Sequence, residues 1–347
     1  FEWLNDEMVD QEGGFYCSMD ADSEGVEGKY YVWKQSEIEK ILGKEDANIF
    51  SQYFDITEEG NWEGNSIPRI TMKKSSLSTV LKIPEDEMIE SLAHSRLKVK
   101  KHRASRIPPG TDDKVIVSWN ALMISSLAKV SYALGKKEYF DLADKAVTFI
   151  VERMSKDDGT LNRVYRENVS HIDAFAEDYS YFGNSLIDMY EASFNPKYLE
   201  LAKKYADILI AQFYKDGQFK QSLSKNIVIK SGNSMDNATP SYNFMCSLLL
   251  VRLHYYYDNK EYKTIVESSI EKAGQYINQY PYAHSTALLV HHYLEKGPLE
   301  IALASEEVEN DFTEILRSYF FPFKIIASSA SGIDIPLMQG KKMLDEK

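Results

Sequence analysis

The sequence predicts an all-α chain built as a toroid of α/α hairpins, and two repeating patterns predict it. The first is a helical register present in KEYFDLADKAVTFIV from Lys137, PKYLELAKKYADILI from Pro196 and KEYKTIVESSIEKAGQYI from Lys260. Their tyrosines, Tyr139, Tyr198 and Tyr262, stand 59 and 64 residues apart. Each copy follows a second amphipathic stretch that ends in Gly or Asn: WNALMISSLAKVSYALG, YFGNSLIDMYEASFN and YNFMCSLLLVRLHYYYDN. The second pattern lies in the loops. Met154-Ser-Lys-Asp-Asp-Gly159 has counterparts in Lys215-Asp-Gly217 and in Met8-Val-Asp-Gln-Glu-Gly13. Self-similarity at a fixed period signals a repeat architecture, and two helices in roughly 60 residues is nearly twice the tetratricopeptide period of about 34.

Taken in order, Phe1–Met8 reads as the last turns of an outer helix whose beginning is absent, because Met8 and Gly13 match Met154 and Gly159. FYCSMD and LNRVYRE follow their glycines as short strand-like pieces, and Glu85–Lys101 reads as a helix. Hairpins are expected at residues 119–154, 176–213 and 241–279, with a partial one from Tyr282 to Leu294; Leu122, Leu127, Val130 and Leu134 give the first its helical spacing. Long loops on one side and short turns on the other give such an array one functional face. After Gly297-Pro298 the pattern changes to a strand (LEIALAS), a polar helix (VENDFTEILRSYF) and a strand (FKIIASSAS). The expected division is therefore a partial toroid over 1–295 and a small strand–helix–strand appendage over 296–347.

Composition narrows the partners. With 40 Lys+Arg against 53 Asp+Glu in 347 residues, the net charge is −13, which repels nucleic acid and anionic lipid. There is no run of eighteen apolar residues, and FEWLNDEMVD does not read as a signal peptide. Cys17 and Cys246 form neither a CxxC pair nor a zinc site. These features point to a cytoplasmic chain with no nucleic-acid or membrane partner, and no cofactor or metal is expected.

Acidic residues recur where the inner helices should begin: Asp112-Asp113-Lys114 before Trp119-Asn120, Glu177-Asp178-Tyr179, and Asp236 before Thr239-Pro240. One reading is helix capping, which holds carboxylates at helix N-termini. The other is convergence of Asp113, Glu177, Asp178 and Asp236 on one pocket, where neighbouring carboxylates acquire separate acid and base roles. His171, on the loop ahead of Glu177, is the best-placed histidine for a general base. Asp20, Asp22 and Glu24 resemble the opening of a calcium loop, but Tyr31 stands where the closing glutamate belongs, so an acidic turn or a rim that binds sugar hydroxyls is expected. HExxH, GxSxG, P-loop and GxGxxG motifs do not occur.

The stretches GGFYCSMDADSEGVEGKYYVW, YFDITEEGNWEGNSI, DDKVIVSWNALMISSLA, AEDYSYF and DNATPSYN, in this order, resemble the family of thioredoxin-domain-containing, spermatogenesis-associated proteins. The second half of that family is similar to N-acylglucosamine 2-epimerases and six-hairpin glycosidases. The resemblance implies an (α/α)6 toroid, incomplete at its N-terminus here, and a thioredoxin-like domain outside this chain as a partner. The chain departs from the family at Ala121 and Tyr242, where glycine is usual. The function expected is binding of a carbohydrate-like small molecule, with sugar isomerisation or glycoside cleavage as the candidate reactions. Asp113 and Asp178 would be acid and base, supported by Glu177 and Asp236. Trp119 and Tyr179 would stack on the sugar, and Asn120, Lys114, His171, Asp20 and Asp22 would bind it. The alternative is a non-catalytic scaffold that partners the thioredoxin-like domain in protein redox or quality control.

Overall fold

The computed structural model describes residues 1–223 and 235–342, and it is mostly helical. The chain divides into two compact units, residues 18–112 and residues 1–17 with 113 onward. A short helix, α1 (Glu2–Glu7), opens the larger unit.

The smaller unit carries α2 (Gln35–Leu42), α3 (Lys44–Phe54), α4 (Lys74–Leu81) and α5 (Glu85–Arg103) around Trp33, Ile38, Phe50, Leu77, Met88 and Leu92. The basic run from Lys98 is the end of α5, where Lys100, Lys101, His102 and Arg103 offset the helix dipole, with Glu85, Asp86 and Glu87 at its start. Arg106 beyond it stacks on Trp33 at 3.8 Å and donates to the carbonyls of Tyr30 and Val32. The acidic turn is a tight antiparallel hairpin in which Asp22–Ser23 pairs with Val26–Glu27. Glu24 and Gly25 have φ of 54° and 73°, as a two-residue type I′ turn requires.

The larger unit is a row of α-hairpins. Helices α6 (Val117–Leu134), α8 (Ala176–Ser193), α10 (Tyr242–Tyr257) and α12 (Ser285–Glu295) pack side by side as an inner row. Helices α7 (Lys137–Arg153), α9 (Pro196–Phe213) and α11 (Lys260–Gln279) each pack outside their own partner. Burial is deepest in the middle of the inner row, at α8 and α10. In α8 every residue from Asp178 to Glu191 is buried, so it has neighbours on all sides, whereas α7 buries only a stripe including Leu142, Ala146, Phe149 and Ile150. Small residues permit the inner contact, since a Cβ at Gly183 would lie 2.5 Å from the Leu249 side chain of α10.

The repeated residues have a structural cause. Tyr198 on α9 donates its hydroxyl to Asp144 on α7, and Tyr262 on α11 donates to Asp207 on α9, so each tyrosine ties its outer helix to the one before it. The loop glycines Gly13, Gly159 and Gly217 all have positive φ, at 114°, 79° and 72°. The backbone then returns equivalently in two copies, Tyr16 N–H to the Met8 carbonyl and Asn162 N–H to that of Met154. A β-hairpin, Asn162–Arg166 with Val169–Asp173, follows the second copy, where LNRVYRE predicts a strand.

At the C-terminal end the strand Leu299–Leu303 pairs in parallel with Lys324–Ser328, and α13 (Asp311–Ser318) lies between them in sequence. Ile325, Ile326 and Ala327 are fully buried, and their strand packs on α8 and α10. The tail therefore groups with the helical row in the larger unit.

Candidate functional site

The carboxylates at the inner-helix starts are held by helix ends. Asp178 has no exposed surface. One of its oxygens accepts the Ser118 N–H at 3.0 Å, and the other accepts the Phe175 N–H and an Arg163 guanidinium N–H, both at 2.8 Å. A helix leaves its first N–H groups without internal partners, and in a dry interior water cannot satisfy them. Asp178 meets that need at the start of both α6 and α8. Burial pushes its carboxyl up, and Arg163 and the Phe175 N–H oppose this. Burial likewise works against the Arg163 charge, but Asp178 and Glu177 together hold its pKa above the ordinary value. Asp236 repeats the arrangement, accepting the Ser241 and Thr286 N–H groups at 2.8 Å and so tying the start of α10 to that of α12.

Glu177 and Asp178 meet on Arg163, while Asp113 pairs with Arg166 at 2.7 Å. Asn120 is buried, and its amide bonds both the N–H and the carbonyl of Phe15. Tyr179 is buried, its hydroxyl accepts the Leu161 N–H, and burial pushes its pKa up to about 12. Trp119 is half exposed, Lys114 is partly buried, and His171 sits exposed on the β-hairpin opposite Val164. Asp20 and Asp22 are exposed in the smaller unit, where Asp20 accepts the Asp22 N–H. Ala121 and Tyr242 are both buried. Of these acids, Asp178 and Asp236 accept backbone N–H groups from two neighbouring helix starts, while Asp113 and Glu177 are paired with arginines. A small cavity of about 210 Å³ lies at the start of α6, lined by Trp119, Asn120, Phe15 and Met123; a larger one lies at the other end of the inner helices.

A cavity of about 470 Å³ is walled by the C-terminal halves of the inner helices. Lys129 and Tyr132 of α6, Asp188 and Glu191 of α8, Arg252 of α10 and Tyr293 of α12 line it, and residues Tyr319 to Lys324 form an aromatic side. Arg252 donates to Asp188 at 2.8 Å and to Glu191 at 3.3 Å. Asp188 also pairs with Lys129 at 3.0 Å and accepts the Ser125 hydroxyl. Glu191 takes Lys324 at 2.6 Å and the Tyr256 hydroxyl at 3.1 Å. Burial would raise the Asp188 carboxyl, but Lys129, Arg252 and the Ser125 hydroxyl outweigh it and bring the pKa down to about 2. Asp188 and Glu191 hold Arg252 charged despite its burial.

This network is absent from the sequence-based expectations, although a signal exists. Ser125 and Asp188 are 63 residues apart, and Asp188 and Arg252 are 64, so the repeat places them at one level of three neighbouring helices. The trace in the sequence is a lone charge inside an apolar inner stretch, as in LLLVRLHYY. Among the described residues, no cluster of three His, Cys, Asp or Glu side chains is arranged to hold a metal, and no helix is long and apolar enough to cross a membrane.

No family model matches the sequence. Curated relatives do: an uncharacterised Caenorhabditis elegans protein is 26% identical over 85% of this chain and 45% of its own length. Human spermatogenesis-associated protein 20 is 27% identical over 72% of the chain and 37% of its own length. The chain thus spans less than half the length of these relatives. Among solved structures, cellobiose 2-epimerase from Spirochaeta thermophila is similar with a TM-score of 0.41 and 13% identity, covering 80% of this chain and 67% of that one. D-mannose isomerase has the same TM-score, 0.41, and 13% identity over 79% and 66% of the two chains.

Proposed function

We propose that the larger unit binds a carbohydrate-like small molecule in the cavity between the C-terminal halves of α6, α8, α10 and α12. The observation that carries this reading is the row of hydrogen-bonding side chains, Lys129, Tyr132, Asp188, Glu191 and Arg252, facing an open space beside an aromatic wall. A few convergent polar groups in an otherwise apolar pocket are the usual makings of a small-molecule site. The motif resemblance to the thioredoxin-domain-containing, spermatogenesis-associated family, whose second half is similar to N-acylglucosamine 2-epimerases and six-hairpin glycosidases, supports a polyhydroxylated ligand. Asp188, with its pKa brought down to about 2, has no proton to give at neutral pH and orients a ligand instead of acting as general acid. The acids at the inner-helix starts, spent on N–H groups and arginines, then serve the fold.

A neutral and acidic sugar panel, scanned by thermal denaturation, tests the reading. A sugar present at 100 times its dissociation constant should add about 2.7 kcal/mol of stability, a readily measured rise. The reading expects at least one class of sugar to give that rise. A second reading, a non-catalytic scaffold partnering a thioredoxin-like domain, draws on the fully bonded carboxylates Asp178 and Asp236. It expects no shift with any sugar.

A further inference from the structure

Charge at this cavity runs against charge in the chain as a whole. The chain carries −13, yet the two carboxylates in the cavity network, Asp188 and Glu191, face three cations, Lys129, Arg252 and Lys324. Arg317, also on the wall, is charge-paired separately with Glu309 through two bonds of 2.5 and 2.6 Å, its Nε having no hydrogen-bond partner among the described residues. One positive charge is therefore left over at the cavity. The cations also differ in reach. Arg252 is locked between its carboxylates and only 7% exposed, whereas the Lys129 side chain is 66% exposed and holds a single carboxylate, Asp188. Beside it, the Tyr132 hydroxyl is shielded from solvent and has no hydrogen-bond partner among the described residues. Arg317 and Lys324 lie over the ring of that tyrosine at 5.4 and 5.3 Å. A buried hydroxyl without a partner costs stability, and an acceptor arriving with a ligand removes that cost.

We infer that the ligand of this cavity carries an anionic oxygen group, a sugar carboxylate or a sugar phosphate, held by Lys129 and the Tyr132 hydroxyl. The inference rests on the proposed carbohydrate site and adds its charge class. An anion there meets the surplus cation in surroundings less polar than water, where charge-assisted hydrogen bonds are at their strongest. A neutral sugar can accept from the Tyr132 hydroxyl but leaves the surplus charge unanswered. The aromatic segment from Tyr319 to Phe323 supplies the apolar wall for the sugar face.

Calorimetric titration of the whole chain with glucuronate, glucose 6-phosphate, glucose and inorganic phosphate decides the matter, repeated with Lys129→Gln and Tyr132→Phe. At least one of glucuronate and glucose 6-phosphate should bind tenfold or more tighter than glucose, and which of the two does so identifies carboxylate or phosphate. Lys129→Gln should remove that preference while leaving glucose affinity at the parent's value, and Tyr132→Phe should weaken the charged sugar more than glucose. Glucose binding as tightly as both charged sugars overturns the charge assignment and leaves the carbohydrate site standing. Inorganic phosphate binding as tightly as glucose 6-phosphate overturns the inference in favour of a bare anion site. Failure of every sugar, charged or neutral, removes the carbohydrate reading itself.

Discussion

Replacing Asp178 with alanine should cost about 3–5 kcal/mol of folding stability, read as a fall in the urea midpoint. The carboxylate is fully buried and accepts from Ser118, Phe175 and Arg163 at once. Its removal leaves two N–H groups without a partner in a place water does not reach, and leaves Arg163 with Glu177 alone. Asp178→Asn keeps one acceptor oxygen and should cost less than the alanine. If the alanine variant unfolds within about 1 kcal/mol of the parent, Asp178 does not tie α6 to α8, and a role in chemistry regains its standing.

Removing Arg252 should be comparably severe, at about 3–5 kcal/mol for Arg252→Ala, because Asp188 and Glu191 would then face each other with less compensation. The pH dependence carries a sharper signature. The folded-state pKa of Asp188 is about 2 against an ordinary 3.8. A carboxyl depressed in the folded state adds stability above its unfolded pKa, and that contribution fades as pH falls from about 4 towards 2, roughly 2 kcal/mol in all. With Arg252 gone, only Lys129 and the Ser125 hydroxyl oppose burial, so the decline should begin at a higher pH. Urea unfolding of both proteins at pH 5, 4 and 3 reads the difference. Superimposable acid limbs would show that Arg252 does not hold the Asp188 charge.

The hairpin row was readable in the sequence because its signal is periodic. Tyr139, Tyr198 and Tyr262 mark the outer helices, and two of them prove to be ties between neighbouring repeats. The loop glycines were readable because a positive φ restricts the residue allowed. The acids at the inner-helix starts were equally visible, but their partners were not. Arg163 stands 15 residues before Asp178 and Ser118 stands 60 before it, so nothing local announced that these carboxylates were already bonded. The cavity network was hidden for a related reason. Asp188, Glu191 and Arg252 each look like a lone charge in an apolar helix, and only the stacking of one repeat on the next makes them neighbours. Helices α2, α3 and α4 lie outside the repeat and escaped the periodic reading.

The central claim is that ligand binds at the C-terminal halves of the inner helices and not at their starts. Isothermal titration of the sugar that gives the largest thermal shift, into the parent, Lys129→Ala and Asp113→Asn, tests it most directly. Asp113 is partly exposed and pairs only with Arg166 among the contacts described above, so its conservative substitution should leave the fold intact. The cavity reading predicts affinity at least tenfold weaker in Lys129→Ala and unchanged in Asp113→Asn. Full affinity in Lys129→Ala with loss in Asp113→Asn would contradict it and return the site to the inner-helix starts.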